Sequence, residues 1–371
     1  MLALRLMMNN SQAYTQAATA HVDLAALQFN LAKVRELAPS SQIMAVVKAN
    51  SYGHGLHAVS KAVSVEADAF GVARIEEALQ LRANGIVKPI LLLEGFYSAQ
   101  DLPVITTNRI QTVVHCIEQL EALEQVQLDS PISVWLKVDT GMHRLGISPE
   151  QFAEFVTRLK RCPNVADDLR FISHFACADE PNNDSAPRQL ALFKQLTKQE
   201  IGECSIAASA GLLALPDSHL DWVRPGIIMY GVSPFADKTA GQMGLKPVMT
   251  LTSRLIAIRD VKQGEPIGYG GTWASPCDTK IGIVAIGYGD GYPRTAPNGT
   301  PVLVNGRQLP LVGRVCMDML SVDLGSEAKD CVGDEVILWG ASLPVETVAH
   351  HIGTSGYELV TKLTSRIAMV Y

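Results

Sequence analysis

The chain has 371 residues, 47 % of them hydrophobic, which is length and apolar content enough for two domains with large cores. Its formal net charge of −6 supplies no electrostatic reason to bind nucleic acid or an anionic membrane surface. Seven cysteines, an odd number with no Cys-x-x-Cys pair, point to reduced thiols in a cytoplasmic protein rather than a disulfide framework.

The first twenty residues, MLALRLMMNNSQAYTQAATA, carry a short apolar stretch interrupted by Arg5 and no basic leader. Ala-Thr-Ala at 18–20 resembles a cleavage site, but the stretch as a whole does not lead us to expect export. No run is long and apolar enough to span a bilayer. A helix is expected after Asp23, with Leu24, Leu27, Leu31, Val34 and Leu37 on one face.

From about residue 20 to 245, eight short apolar runs alternate with helical patterns. They are 43–49, 69–73, 89–94, 111–115, 132–139, 169–175, 204–209 and 223–231. Runs of this length, bounded by polar or turn residues, read as buried parallel strands. The helical segment 75–85 between two of them ends on Gly85, a stop signal. Eight strand–helix units predict an α/β fold of the (β/α)8 TIM-barrel type over 21–245. Periodicity leaves a doubly wound open sheet as the competing arrangement.

The rhythm changes after about residue 245. Segments 251–261, 280–289, 301–317 and 335–340 are β-rich, and Asn305-Gly306 between two strand-like runs is a hairpin signal. A mainly antiparallel β domain is expected over 246–371, with residues 1–20 partly joining it.

In a parallel barrel, reactive groups gather where strands end at their C-terminal face. Lys48 lies at the end of the first run, Lys137 and Asp139 of the fifth, His174 of the sixth and Ser209 of the seventh. Arg224 lies early in the last run and fits the pattern less well. Any one of these read alone is a solvated loop residue; the cluster is what argues for a site. Lys48 emerges from an apolar strand in AVVKANSYGHG, and partial desolvation lowers a lysine pKa and suits it to imine formation. On spacing alone, an exposed strand-capping lysine stands level with that reading. His54 and His57 have a His-x-x-His spacing but no acidic third ligand, so no metal site is expected.

Beyond AVVKANSYGHG (45–55) come FGVARIEEALQLR (70–82), KVDTGMHRLG (137–146), SHFACADE (173–180), DWVRPGIIMYGVSP (221–234), GYGGTW (268–273), GYGDGYPR (287–294), VGRVCMDM (312–319) and YELVTKLTSR (357–366). In this order the motifs resemble those of the alanine racemases, from about residue 16 onward. The resemblance implies pyridoxal 5'-phosphate as cofactor, an electron sink for a Cα carbanion. It makes Lys48 the cofactor lysine and the proton carrier on one face of Cα, and Tyr269 of the second subunit the carrier on the other. It further implies that His174 lies near the cofactor ring and that Arg224 meets the pyridine nitrogen. Tyr52, Ser209, Tyr357 and the backbone N–H groups of Gly226 and Ile227 would bind the phosphate.

By the same resemblance Arg144 reaches the cofactor phenolate and the substrate carboxylate. Lys137 matches a lysine that in many relatives is carbamylated to orient that arginine; an unmodified lysine paired to Asp139 is the alternative. The Met317 N–H would meet the substrate carboxylate and Tyr288 would line the entrance. The whole implies a cytoplasmic homodimer with shared sites that supplies D-alanine for peptidoglycan. Two alternatives remain on the same scaffold. A broader-specificity amino-acid racemase usually carries a convincing export signal, and a basic amino-acid decarboxylase places an acid where Arg224 stands. A non-catalytic pyridoxal-phosphate carrier would be a single barrel without the β domain.

Overall fold

The structure is a computed structural model that describes residues 16–371. The N-terminal stretch weighed above as a leader falls mostly outside the described residues. The described residues divide into two compact units, Leu24–Pro247 and a second made of Val248–Tyr371 with residues 16–23.

The first unit is a closed barrel of eight parallel strands. These are Gln42–Val46, Ala69–Val72, Ile90–Leu92, Gln111–Val114, Val134–Lys137, Arg170–Ile172, Cys204–Ala208 and Trp222–Arg224. The last pairs with the first through Gln42↔Trp222 and Ile43↔Val223, which removes the open-sheet alternative. Ala69–Val72 and Val134–Lys137 are buried along their whole length, as strands covered on both faces must be. Met44, Ala69, Leu91, Val113, Trp135, Ile172 and Trp222 form one buried cluster contributed by seven of the strands. Trp135 and Trp222 meet edge to face with ring centroids 5.9 Å apart.

The opening helix runs Leu24–Leu37 and buries Leu27, Leu31 and Val34. Leu37, expected on the apolar face, is 38 % exposed as the last residue of the helix. The last apolar run, 223–231, is longer than the strand it contains. Only Trp222–Arg224 is strand, and from Gly226 the chain turns into a 3-10 segment, Ile227–Tyr230. Arg224 therefore ends its strand, at the same barrel face as the other candidates.

The second unit holds an eight-stranded sheet. In spatial order its strands are Thr279–Val284, Leu320–Asp323, Arg307–Val312, Pro301–Val304, Glu335–Trp339, Met249–Val261, Thr19–Val22 and Ala368–Val370. All pairings are antiparallel except that of Thr19–Val22 with Ala368–Val370. The Asn305-Gly306 hairpin forms as expected, with Val304 opposite Arg307 and positive φ at both turn residues (49° and 74°). No helix among the described residues is long and apolar enough to cross a membrane.

Candidate active site

Lys48 follows the first barrel strand and opens an unusual turn. Ala49, Asn50, Ser51 and Tyr52 all have φ between 51° and 55°, the left-handed region. Left-handed backbone costs about 1–2 kcal/mol per L-residue, and only Asn50 among the four tolerates it readily. The segment is held by its surroundings. Asn50 Oδ1 accepts the Leu56 N–H at 2.8 Å, and Glu77 Oε1 accepts the Ala49 N–H at 2.6 Å. Gly53 and Gly55 carry the chain out of the turn with φ of 80° and 94°.

Burial pulls the Lys48 ammonium below its ordinary value; Arg144 and Arg224 add to this, while Glu94 and Glu77 oppose it. Lys137, the last residue of the fifth strand, is buried and pulled down to about 8, first by desolvation and then by Arg224, Arg144 and Lys48. It forms no ion pair with Asp139 in this structure. Asp139 Oδ1 instead accepts the N–H groups of Gly141, Met142 and His143, and its Oδ2 lies 3.2 Å from His143 Nδ1. The carboxylate thus shapes the loop that carries Arg144, which is exposed.

Arg224 is 4 % exposed, so it is not the solvated loop residue it would be if read alone. Its Nη1 donates to Ser205 Oγ at 2.6 Å, and its Nη2 to the Ser173 carbonyl at 2.7 Å and the Ile206 carbonyl at 3.2 Å. The fourth neighbour is His174 Nδ1, 3.2 Å from Nη2. Every one of these acceptors is neutral. Burial pushes the guanidinium down to about 9, which still leaves it a cation at neutral pH. Its Nε–H makes no hydrogen bond among the described residues.

Ser209 begins the helix after the seventh strand, and its Oγ accepts the Gly226 N–H at 3.0 Å and, more weakly, the Ile228 N–H at 3.5 Å. A Cβ built on Gly226 would stand 2.6 Å from the Tyr52 hydroxyl oxygen. Tyr52 stacks on Tyr230, with centroids 4.9 Å apart. Tyr52, Ser209 and Gly226 therefore form one cradle of hydroxyl and N–H groups, with bare backbone where a side chain would block it. Lys48, Lys137, Arg144 and Arg224 lie close enough to influence one another's protonation, with Glu94 as the acidic member of that field. A cradle without carboxylates beside an excess of cations fits an anionic phosphate compound linked through a lysine. Pyridoxal phosphate meets those requirements.

In the second unit, Tyr269 sits in a tight turn, Tyr269–Gly271, between glycines of positive φ, and is 72 % exposed. The turn rests on Arg314, whose guanidinium would lie 3.3 Å from a Cβ at Gly270. Tyr288 and Met317 are brought together. The Tyr288 N–H donates to the Cys316 carbonyl at 3.0 Å, and the Gly289 N–H to the Met317 carbonyl at 2.8 Å. Both side chains are exposed, at 37 % and 53 %. Tyr357 lies on the short helix Gly356–Thr361.

Sequence reasoning missed three residues around this site. Glu77 braces the turn after Lys48. Gln189 is buried, and its amide spans the His174 carbonyl, the Ala176 N–H and, at 3.4 Å, Thr140 Oγ1. Ser205 supports Arg224 from within its strand. Nothing in the residue types announced these roles, although Glu77 lies inside a motif already singled out. Among the described residues no group of His, Cys, Asp and Glu has the arrangement of a metal site. The His54 ring is buried and its Nδ1 pairs with the Tyr52 carbonyl at 2.8 Å.

A lysine, an anion cradle and a buried arginine at the strand ends of a parallel barrel define a class of barrel enzymes that hold a phosphate-bearing cofactor through a lysine. Residues 22–234 match the model of the alanine racemase N-terminal domain, and residues 248–371 that of the C-terminal domain. The chain is 68 % identical to an alanine racemase of Vibrio vulnificus (strain YJ016) over the whole of both chains. It is also 68 % identical to that of Vibrio cholerae, over 96 % of this chain and 98 % of that one. The crystal structure of the biosynthetic alanine racemase from Pseudomonas aeruginosa superposes with a TM-score of 0.94 at 47 % identity, covering 96 % of this chain and 99 % of that one. The chain belongs to the alanine racemase family.

Proposed function

We propose that this protein interconverts L- and D-alanine, with Lys48 and Tyr269 of the partner subunit moving the Cα proton on opposite faces. The observation that carries this reading is Arg224, a buried cation whose hydrogen-bond partners are all neutral and whose Nε–H makes no hydrogen bond among the described residues. Pyridoxal phosphate, when bound, withdraws electrons from Cα and so acidifies its proton.

The chain's own residues do the rest. Tyr52, Ser209 and the Gly226 and Ile227 N–H groups would hold the phosphate, joined by Tyr357 as the resemblance implies. Arg224 would donate to the pyridine nitrogen, with the neutral His174 beside Arg224. Lys48 would hold the cofactor through its amine. Burial lowers its pKa, which favours the neutral amine that can accept a proton.

Tyr269 supplies the second proton carrier. Its exposure on its own unit suits a residue that completes another subunit's site, and the reading therefore includes a homodimer with shared sites. Arg144 and the Met317 N–H orient the substrate carboxylate. Lys137, carbamylated, becomes an anion that fixes Arg144; a lysine with a pKa of about 8 has a neutral fraction able to react with carbon dioxide. Tyr288 narrows the entrance in favour of a small side chain. We place the enzyme in the cytoplasm, supplying D-alanine for peptidoglycan.

The test is conversion of L-alanine to D-alanine by purified protein with added cofactor, beside Lys48→Ala. Conversion by the wild type and its loss in the variant support the reading. A folded, cofactor-loaded wild type that leaves L-alanine unchanged removes it.

A further inference from the structure

We infer that Glu77 is a positioning residue for Lys48, holding the left-handed turn through which the lysine is presented; this rests on the function proposed above. Glu77 lies in the first turn of the helix Ile75–Ala83, which follows the second barrel strand. One carboxylate oxygen, Oε2, accepts the Ala73 N–H at 2.9 Å and the Arg74 N–H at 3.1 Å, the expected duty of a glutamate at a helix start. The other, Oε1, does something a helix cap does not require. It crosses to the neighbouring loop and accepts the Ala49 N–H at 2.6 Å.

That N–H belongs to the peptide directly after Lys48. Within the turn, the N–H groups of Ser51 and Gly53 find the carbonyls of Val47 and Ala49. Only the Glu77 carboxylate takes the N–H of Ala49, the first left-handed residue. The other side-chain brace, Asn50 Oδ1 on the Leu56 N–H, acts at the far side of the turn. A charged acceptor makes a stronger hydrogen bond than a neutral one. Glu77 therefore ties the loops after the first and second strands together at the point where the Lys48 backbone direction is set. Its negative charge also acts on the Lys48 ammonium.

A helix cap alone would affect folding but not the lysine. The experiment compares wild type, Glu77→Ala and Glu77→Gln as cofactor-loaded protein. Three quantities are read: amide hydrogen exchange of a peptide spanning residues 47–56, the dissociation constant for pyridoxal phosphate, and kcat and KM separately. Loss of the brace is expected to speed exchange in 47–56 roughly tenfold and to lower kcat by a similar factor, the equivalent of about 1.4 kcal/mol, with KM for alanine little changed. Cofactor affinity falls in parallel, and Glu77→Gln, which keeps one acceptor oxygen, lies between. Unchanged exchange in 47–56, or a fall in melting temperature with kcat intact, overturns the role. Should Glu77→Ala fail to fold, the same readouts on Glu77→Gln decide. If the wild type does not racemise alanine, the proposed function fails, while exchange and cofactor affinity still report on Glu77.

Discussion

Arg224 Nη2 lies 3.2 Å from His174 Nδ1, and that contact fixes the state of the imidazole. A guanidinium has only donors, so Nδ1 is the acceptor and the ring proton resides on Nε2. Burial first, then the charges of Arg224, Lys137, Arg144 and Lys48, hold the His174 pKa well below its ordinary value. A neutral imidazole thus stands beside a cation with no carboxylate neighbour.

Arg224→Glu exchanges that cation for an acid. Arginine opposes protonation of a pyridine nitrogen by like-charge repulsion, whereas glutamate favours it and strengthens the electron sink. The expected result is slower racemisation together with transamination as a measurable side reaction. Product analysis by chromatography checks it; a variant that racemises as cleanly as the wild type contradicts the role given to Arg224.

Gly226→Ala tests the cradle. The added methyl would lie 2.6 Å from the Tyr52 hydroxyl oxygen, inside contact distance. Cofactor affinity, measured by absorbance titration, is expected to fall roughly tenfold, equivalent to about 1.4 kcal/mol, or more. Unaltered affinity would place the phosphate elsewhere.

Lys137 offers a test in solution chemistry. Removing dissolved carbon dioxide is expected to lower activity, and bicarbonate to restore it. Native mass spectrometry without acid should show one carbon dioxide added per chain, absent from Lys137→Ala. Activity indifferent to bicarbonate, with no mass increment, would leave Lys137 an unmodified buried amine.

His54 links the site to acid stability. Burial lowers its pKa from 6.5 to about 4. The folded pKa lies below the unfolded one, so the unfolded chain binds the proton first as pH drops. Its share of stability is full above the unfolded value and is lost as pH falls from about 6.5 towards about 4. His54→Asn keeps a donor for the Tyr52 carbonyl but cannot titrate. Between about pH 7 and about pH 5 the variant is expected to lose less unfolding free energy than the wild type, by about 2 kcal/mol. Equal losses in denaturant titrations would show that His54 does not carry this dependence.

The fold was largely legible because burial on both faces writes itself into sequence. Ala69–Val72 and Val134–Lys137 have no solvent face and so read as unbroken apolar runs. The limit of that signal shows at 223–231, where the apolar residues after Arg224 are buried in a 3-10 turn instead of a strand. Burial without periodicity does not distinguish the two. Within the site, Lys48 was visible through its chemistry and its motif. The left-handed turn behind it was not, because Ala49, Ser51 and Tyr52 have no preference for that conformation; contacts from Glu77 and Asn50 impose it. Gln189 was hidden for the same reason, since an amide in an amphipathic helix looks like solvent-facing polarity until its partners are known.

The most direct measurement is solvent hydrogen exchange at Cα during turnover in deuterium oxide, on wild type and Tyr269→Phe, starting separately from each enantiomer of alanine. Wild type should take up solvent label from both. In Tyr269→Phe, exchange should survive for the enantiomer whose proton faces Lys48 and collapse for the other, with net racemisation lost. Equal slowing from both enantiomers would contradict an assignment of Lys48 and Tyr269 to opposite faces of the substrate.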